Sequence, residues 1–410
     1  MSRLFLIAVG VLAACGGAPE PAKPVMQSPA AIAAAVPAVT ALQASKFDDA
    51  RQIASKVLQE DARNSRAAAV RALVTYQAAG ETLVRELVEI VDKGETLKAF
   101  DHEGGRTTWR DFLTALEAVD RDLAIAGADP AFSLELCLAC WAHDWNRNGQ
   151  IDDRDRKLFE IEYDAKGEPI DQADPGRRPT FRFDAGDIEW TRAMVSFQRA
   201  AVEMVLAYRW TELDKLFKFN LFGSNKDMGP ITIKLVDPGR VKHARELILA
   251  GLDHAEKTRL AYLAETDDDR EWVPSPTQKN HPIPLPMDAT IYATWEGVIG
   301  DVRRMLKSEE GVSIKGFVFL FEPGAVKTMP DAYLDLGAML REPADIVIDL
   351  TDSSETPQNV ERVLRGVFGN GFRPDMKASP VLGRLARVKA DLEKGGETFD
   401  QKLRYLLWLN

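Results

Sequence analysis

The stretch "IEWTRAMVSFQRAAVEMVLAY" (residues 188–208) decides the fold class of this chain. Its apolar residues recur at helical spacing and form one wide stripe, made of Trp190, Met194, Phe197, Ala201, Met204 and Tyr208. Such a stripe could line a cofactor groove, but it is typical of a helix that is buried in a protein core. The stretch therefore predicts a mainly α-helical fold with this helix in its core.

Helical periodicity continues on both sides of this stretch, and strand-like runs are few. Further helices are predicted at residues 50–58, 70–74, 83–91, 109–125 and 241–263. Three short apolar runs, at 231–236, 316–321 and 345–350, predict strands. The C-terminal segment "FDQKLRYLLWLN" (399–410) is apolar enough to dock against the body.

Length, composition and charge set limits on function. The chain has 410 residues, of which 45% are hydrophobic, and this suits two or three globular domains with a sizeable core. The formal net charge is −11, and no stretch concentrates basic residues. Such a chain is a poor binder of the phosphate backbone, so no nucleic-acid partner is expected.

The first 15 residues, "MSRLFLIAVGVLAAC", have a cationic start and an apolar run that is too short to span a bilayer. They predict a signal peptide over residues 1–14, which ends in a stretch, Leu12–Cys15, that resembles the lipobox of bacterial lipoproteins. The resemblance implies that Cys15 carries a lipid such as palmitate, and that Gly16 beside it directs the protein to the outer membrane. An ordinary signal peptide with a coincidental cysteine is the alternative.

The next two regions are a tether and a helical region. Residues 15–38 are rich in Pro, Ala and Gly and predict a tether between the lipid and the body. Residues 39–128 predict helices, and the first pair resembles one tetratricopeptide unit on the residues Phe47, Ala50, Ala72, Tyr76 and Gly80. Because no second copy follows about 34 residues later, a repeat array is not supported, and a plain helical hairpin remains the alternative.

Residues 144–155, "DWNRNGQIDDRD", place oxygen-bearing side chains at alternating positions, as a calcium-binding loop requires. Gly149 at position 6 permits a sharp turn, and Ile151 at position 8 is expected to point inward. The loop resembles the EF-hand, and in particular the dockerin-type loop, whose twelfth residue is Asp. The resemblance implies Ca²⁺ ligands at Asp144, Asn146, Asn148, Gln150 (backbone carbonyl), Asp152 (through water) and Asp155. A polar turn without metal is the alternative.

The resemblance covers the loop and its flanking helices, and residues 129–263 are predicted to hold this loop and long core helices. The apolar stretch 130–142 predicts an entry helix, and the stretch 152–163, which starts with acids where the helix dipole favours them, predicts an exit helix. The fold class is therefore a helical body with an EF-hand-like helix–loop–helix and a few short strands. The best partner loop, 176–187, lacks chelating residues at positions 1, 3 and 5. It predicts a metal-free partner that pairs Phe183 with Ile151, and it argues against a dockerin that binds a cohesin.

Cys137 and Cys140 form a C-x-x-C pattern just before the loop, and three interpretations stay open. An exported protein could join the two in a disulfide. Together with His143 they could bind zinc, although no fourth ligand is evident. They could also be small residues of the core.

Residues 264–290 predict a proline-rich loop, and segments of this length without periodicity are usually functional or mobile. The acids from Glu265 to Glu271 predict a solvated charge run, with a second ion site as the alternative. Residues 291–410 predict a mixed, mostly helical region. No catalytic motif or phosphate-binding glycine loop is present in the sequence, and no catalytic residue is predicted.

These patterns predict a lipid-anchored protein of the bacterial cell envelope with a structural calcium site. Its expected role is to bind or scaffold an envelope protein partner. One alternative is a periplasmic or surface enzyme, hydrolase-like, that uses the acidic and proline-rich segment 265–288. The proposed discriminator is whether Asp267, Glu271 and His281 line one pocket. A calcium sensor is a further alternative, and it would need an apolar groove that calcium exposes.

Overall fold

The computed structural model describes residues 24, 26–145, 149–152, 155, 159–164, 168–219, 225–266, 270–279, 281, 287–321, 329–352 and 356–393. The predicted mainly α-helical fold is confirmed. The α-helices are α1 (Pro29–Gln43), α2 (Phe47–Glu60), α3 (Ser65–Leu97), α4 (His102–Gly127), α5 (Ala185–Ala207), α6 (Pro238–Ala264), α7 (Ala289–Leu306), α8 (Ile314–Phe321), α9 (Leu336–Arg341), α10 (Pro357–Phe368) and α11 (Val381–Leu392). The strands are β1 (Ser133–Leu136), β2 (Phe181–Asp184), β3 (Tyr208–Arg209), β4 (Ile231–Leu235), β5 (Val312–Ser313), β6 (Tyr333–Leu334), β7 (Ile346–Ile348) and β8 (Phe372–Arg373). Short 3₁₀ segments lie at Leu138–Cys140, Pro175–Arg177, Thr211–Lys218 and Gly369–Gly371.

The helix predicted at residues 188–208 is α5, and it packs against α4 on one side and α6 on the other. It begins earlier than predicted because Asp184 and Asp187 form a capping box, in which each side chain accepts the other residue's backbone N–H. Tyr208 already belongs to β3. One hydrophobic core runs from Ala35 to Tyr292, so the predicted regions 39–128 and 129–263 share a core.

The tether predicted over residues 15–38 is wrong for residues 29–38. These residues belong to helix α1 and do not form an extended linker. Ser28 caps the helix by accepting the Ala31 N–H, and Pro29 occupies the first turn, where proline is tolerated. Ala35 and Ala38 are fully buried. Alanine is the strongest helix former, so an Ala-rich segment with an apolar face folds onto the body.

The predicted N-terminal helix pair is present as α2 and α3. Helix α3 has 33 residues and includes the separately predicted helix at 83–91. It is fixed to α4 by a bidentate ion pair, since Arg71 donates from Nε and Nη2 to Asp122 at 2.7 and 2.6 Å. The resemblance to a tetratricopeptide unit stays a prediction.

The predicted entry helix at 130–142 is wrong, because Ser133–Leu136 is strand β1. It pairs antiparallel with β2, and Leu134 lies opposite Phe183. The residues Phe132, Leu134, Leu136 and Leu138 are all buried. Their spacing is two residues, which is the period of a strand and not of a helix.

Two small three-stranded sheets complete the fold, with the strand orders β3-β4-β7 and β5-β6-β8. The strands predicted at 231–236 and 345–350 are β4 and β7. The strand predicted at 316–321 is wrong, because Ile314–Phe321 is helix α8. Ser313 starts this helix by accepting the Gly316 N–H at 3.1 Å. A short apolar run does not by itself separate strand from helix.

The described part of the proline-rich segment is anchored in the core. Trp272 is fully buried and Val273 is 3% exposed. The Tyr292 hydroxyl donates to the Pro274 carbonyl at 2.9 Å and ties the segment to α7. Residues 270–279 therefore belong to the packed body.

The C-terminal helix α11 packs on α7. The contact includes a buried acid, because Asp301 of α7 accepts from Arg384 Nε at 2.9 Å. The predicted docking of residues 399–410 lies outside the described residues. Within the described helices, none combines the length and the hydropathy that a transmembrane segment needs.

Candidate functional site

The loop predicted to bind calcium is partly described, and its first half has a curved backbone. The Gly149 N–H donates to Asp144 Oδ2 at 2.8 Å, which ties position 6 of the loop to position 1. Gly149 has φ +84°, in the left-handed region that favours glycine. The predicted sharp turn at Gly149 is therefore present. Asn146 and Asn148 lie outside the described residues.

The second half of the loop ends in a buried carboxylate. The Asp152 N–H donates to Asp155 Oδ2 at 2.9 Å, and Asp155 is 2% exposed. Burial of a charged carboxylate is unfavourable unless a donor or a cation balances it. Gln150 is exposed. The ligand roles of Asp144, Gln150, Asp152 and Asp155 stay predictions.

Aromatic side chains hold the two ends of the loop together. The ring centroids of Trp145 and Phe159 are 5.4 Å apart, and Phe159 also contacts Trp141 at 6.1 Å. Phe47 of α2 packs edge-on against Trp141 at 5.4 Å. A packed aromatic cluster on the N-terminal helices therefore joins the two sides of the loop.

Three predictions that followed from the EF-hand resemblance differ from the structure. The exit helix predicted over 152–163 includes the helical residue Asp155, but residues 159–164 are not helical, although Phe159 and Ile161 are buried as predicted. Ile151 is 42% exposed and does not point inward. Phe183 pairs with Leu134 across β1 and β2, because the flanking segment is a strand that takes the pairing position.

Cys137 and Cys140 are joined by a disulfide beside the loop. Both sulfurs are used in this bond, so they are not available as zinc ligands in this structure. His143, the third residue of the zinc interpretation, contacts Glu81 Oε1 on α3 through Nε2 at 2.7 Å. Cys140 is exposed, which does not fit a residue of the core. Cys15 lies outside the described residues.

A second acidic group lies at the start of α5. One carboxylate oxygen from each of Asp184, Glu265 and Glu271 lies within 4.8 Å of the other two. Asp184 ends β2, Glu265 directly follows α6, and Glu271 reaches the group because it lies beside Arg182 of β2 in a parallel bridge. The predicted solvated charge run is thus wrong for Glu265 and Glu271, which turn inward at a strand end.

A fourth acid, Asp187, lies behind this group and is 2% exposed. The Tyr262 hydroxyl donates to Asp187 Oδ1 at 2.6 Å, and the Asp184 N–H donates to Asp187 Oδ2 at 2.9 Å. Gly186 leaves room for this tyrosine, since a Cβ there would lie 2.9 Å from the Tyr262 ring. The capping box of α5 therefore forms one wall of the acidic group.

Burial and mutual repulsion change the protonation of these acids. Burial, followed by a hydrogen bond to Asp184 and repulsion from it, raises the pKa of Glu265 to about 10. Burial, followed by repulsion from Asp184, raises the pKa of Asp187 well above its ordinary value. With a pKa of about 10, Glu265 is protonated near neutral pH when no cation is bound. Three carboxylates this close could also hold a divalent cation in place of that proton.

We expect that Glu265→Gln will stabilise the protein at alkaline pH. The folded pKa is raised from 4.5 to about 10, so the folded state binds more protons than the unfolded state in this range, and stability is lost as pH rises through it. A neutral amide removes this loss and should add about 1–2 kcal/mol at pH 9, with little effect at pH 4, after allowance for solvent screening. Urea denaturation with chelator present at both pH values measures the difference.

The matched control is Glu60→Gln, which changes an exposed glutamate at the end of α2. It should leave the pH dependence of stability unchanged. If Glu265→Gln destabilised the protein equally at both pH values, Glu265 would be a charged partner and not a proton carrier.

The residues of this acidic group belong to two separate predictions from the sequence. Asp184 and Asp187 are positions 9 and 12 of the predicted metal-free loop 176–187, and Glu265 and Glu271 belong to the predicted charge run. The capping pattern Asp184-x-x-Asp187 was the available signal. The discriminator for an enzyme stays untested, since Asp267 lies outside the described residues. Comparison with known proteins found that no family model, curated protein or solved structure matches this chain.

Proposed function

We propose that this chain is a lipid-anchored protein of the bacterial outer membrane that binds or scaffolds an envelope protein partner. A calcium ion in the loop 144–155 would stabilise the surface around it. The observation that carries the calcium proposal is the Asp144–Gly149 hydrogen bond with Gly149 in the left-handed conformation. The lipobox-like stretch that ends at Cys15 supports the anchor.

The position of the loop supports a structural role for the ion. Asp144 directly follows His143, whose Nε2 contacts Glu81 on α3 at 2.7 Å. His143 and Glu81, with Phe47 and Gln77, line a cavity of about 440 Å³ between α2 and α3. An ion that fixes the loop would also fix this wall of the cavity. A calcium-dependent binding surface therefore fits the arrangement.

The hydrolase alternative finds less support. Glu271 is 4% exposed and lies 3.9 Å from Arg182 Nη1, which suits a structural role better than contact with a substrate. The Trp272 ring that follows is fully buried.

Calcium should raise the thermal stability of the full chain, extracted in mild detergent. A loop of the affinity usual outside the cytoplasm should stabilise the protein by about 0.4–1.4 kcal/mol at 1 mM Ca²⁺. Asp144→Ala should abolish this gain because it removes the first predicted ligand and the acceptor of the Gly149 N–H. Scanning calorimetry with Ca²⁺ and with chelator measures both.

Two further variants assign the binding site. Asp375→Ala, an exposed acid outside the loop, should keep the full calcium response. Glu265→Gln should also keep the calcium response. Loss of the response in this variant alone would assign the calcium site to the acidic group. A parent protein without any calcium response would remove the calcium part of the proposal.

A further inference from the structure

A cleft of about 420 Å³ lies between the start of α4 and the segment that follows α5. Its lining is mostly apolar and aromatic, and includes Phe100, Trp109 and Trp210. Two arginines, Arg106 and Arg209, also line it. This volume falls in the range of small-molecule sites, which combine an apolar lining with a few polar groups.

Arg106 is held in place by groups that leave its charge unbalanced. Its Nη1 donates to the Tyr208 carbonyl at 2.9 Å and its Nη2 to the Leu206 carbonyl at 2.7 Å. Both acceptors are neutral carbonyls at the end of α5. Burial, followed by repulsion from Arg110, lowers the pKa of Arg106, attraction by the exposed Glu103 opposes this shift, and Arg240 and Arg209 add to the repulsion. The guanidinium is therefore fixed on the cleft wall without a hydrogen bond to a carboxylate in the described part of the chain.

Arg209 is exposed, and no ion pair joins it to an acid in the described part of the chain. Its backbone belongs to β3, which pairs with β4 and fixes its position. Two acids also line the cleft. Asp101 uses Oδ1 to accept the Gly104 N–H at 2.9 Å as the cap of α4, and Glu103 is exposed.

His102, a further polar side chain of the lining, is oriented by a partner. His102 Nε2 lies 2.9 Å from Asp214 Oδ1, and the same oxygen accepts the Phe100 N–H at 3.0 Å. Asp214 thus fixes both the imidazole and the backbone beside the Phe100 ring.

We propose that this cleft binds a small amphipathic organic anion, with a carboxylate at Arg106 and Arg209 and an apolar body against the Trp109 and Trp210 side of the lining. A guanidinium supplies planar, charged donors that match a carboxylate. The aromatic rings supply apolar contact area for the body of the ligand. This site is separate from the calcium loop and from the acidic group.

A matched pair of probes tests the proposal. The anion 1-naphthoate and its neutral amide, 1-naphthamide, differ in charge and hardly in shape. Calorimetric titration of the full chain, with a detergent blank, should show saturable binding of 1-naphthoate and weaker binding of 1-naphthamide. Arg209→Ala should weaken 1-naphthoate roughly tenfold and change 1-naphthamide less than about twofold.

Two variants complete the test. Arg85→Ala removes an exposed arginine of α3 outside the cleft lining and should change neither titration. Trp210→Ala should weaken both probes. Circular dichroism identifies any variant that does not fold. If a variant does not fold, the comparison of the two probes on the parent protein still tests the proposal. Equal binding of the two probes by the parent, no binding of 1-naphthoate at millimolar concentration, or an unchanged affinity in folded Arg209→Ala would each overturn the proposal.

Discussion

Replacing Trp272 by alanine should destabilise the protein by about 3–5 kcal/mol. Trp272 is fully buried and is the largest of the fully buried side chains. Its ring lies 5.8 Å from that of Phe183 in β2, so it joins the proline-rich segment to the β1–β2 sheet. The loss combines the transfer of a large apolar side chain to water with the cavity that remains. Denaturant unfolding of the parent and the variant measures it.

The control for this prediction is Trp272→Phe, which keeps an aromatic ring in the same space. It should lose clearly less stability than the alanine variant because it leaves a smaller cavity. If Trp272→Ala lost less than about 1 kcal/mol, residues 270–279 would be a separable loop and not part of the core.

The second large effect is expected for Asp301→Ala, at about 2–4 kcal/mol. Asp301 is completely buried on α7, accepts from Arg384 of α11 at 2.9 Å, and also contacts Arg304. Removal of the carboxylate leaves Arg384 without this buried partner, whereas Arg304 keeps its contact with the buried Glu310 at 3.1 Å. Both are about one-third exposed, with side-chain exposures of 32% for Arg384 and 38% for Arg304, so water recovers part of the loss. Thermal unfolding of both proteins gives the difference.

The same helix provides a matched control for Asp301. Arg303 pairs with Asp253 of α6 at 2.5 Å, but its side chain and that of Asp253 are 37% and 60% exposed. Asp253→Ala should therefore cost less than about 1 kcal/mol, since exposed ion pairs contribute little. Equal losses in the two variants would show that burial does not set the strength of the Asp301 contact.

Long amphipathic helices could be predicted from this sequence, whereas short apolar runs were predicted correctly at β4 and β7 and wrongly at β1 and α8. Helix α5 was predicted within a few residues because its apolar stripe extends over several turns. The apolar runs at β1 and α8 are short, and there the neighbouring structure decides between strand and helix. The tether predicted at α1 is wrong for another reason. Prolines are typical of a tether, but here the helix propensity of alanine outweighs them.

The candidate sites also differ in whether the sequence could predict them. A calcium loop is contiguous, so its spacing is visible in the sequence, and the turn at Gly149 could be predicted. Asp184 and Glu265 are distant in sequence, and they meet only because α5 and α6 pack together. The cleft beside α4 likewise combines residues from four separate segments of the chain. Its arginines carry no sequence motif that would have identified them.

The start of the first helix at Pro29 sets how far from the bilayer an anchored body can be held. From Cys15 to Ser28 there are only 13 residue steps. Even a fully stretched chain of that length spans no more than about 45 Å, whereas a linker that continued to residue 38 would reach about 80 Å. A molecule lipidated at Cys15 would therefore meet its partners within a shallow layer above the membrane.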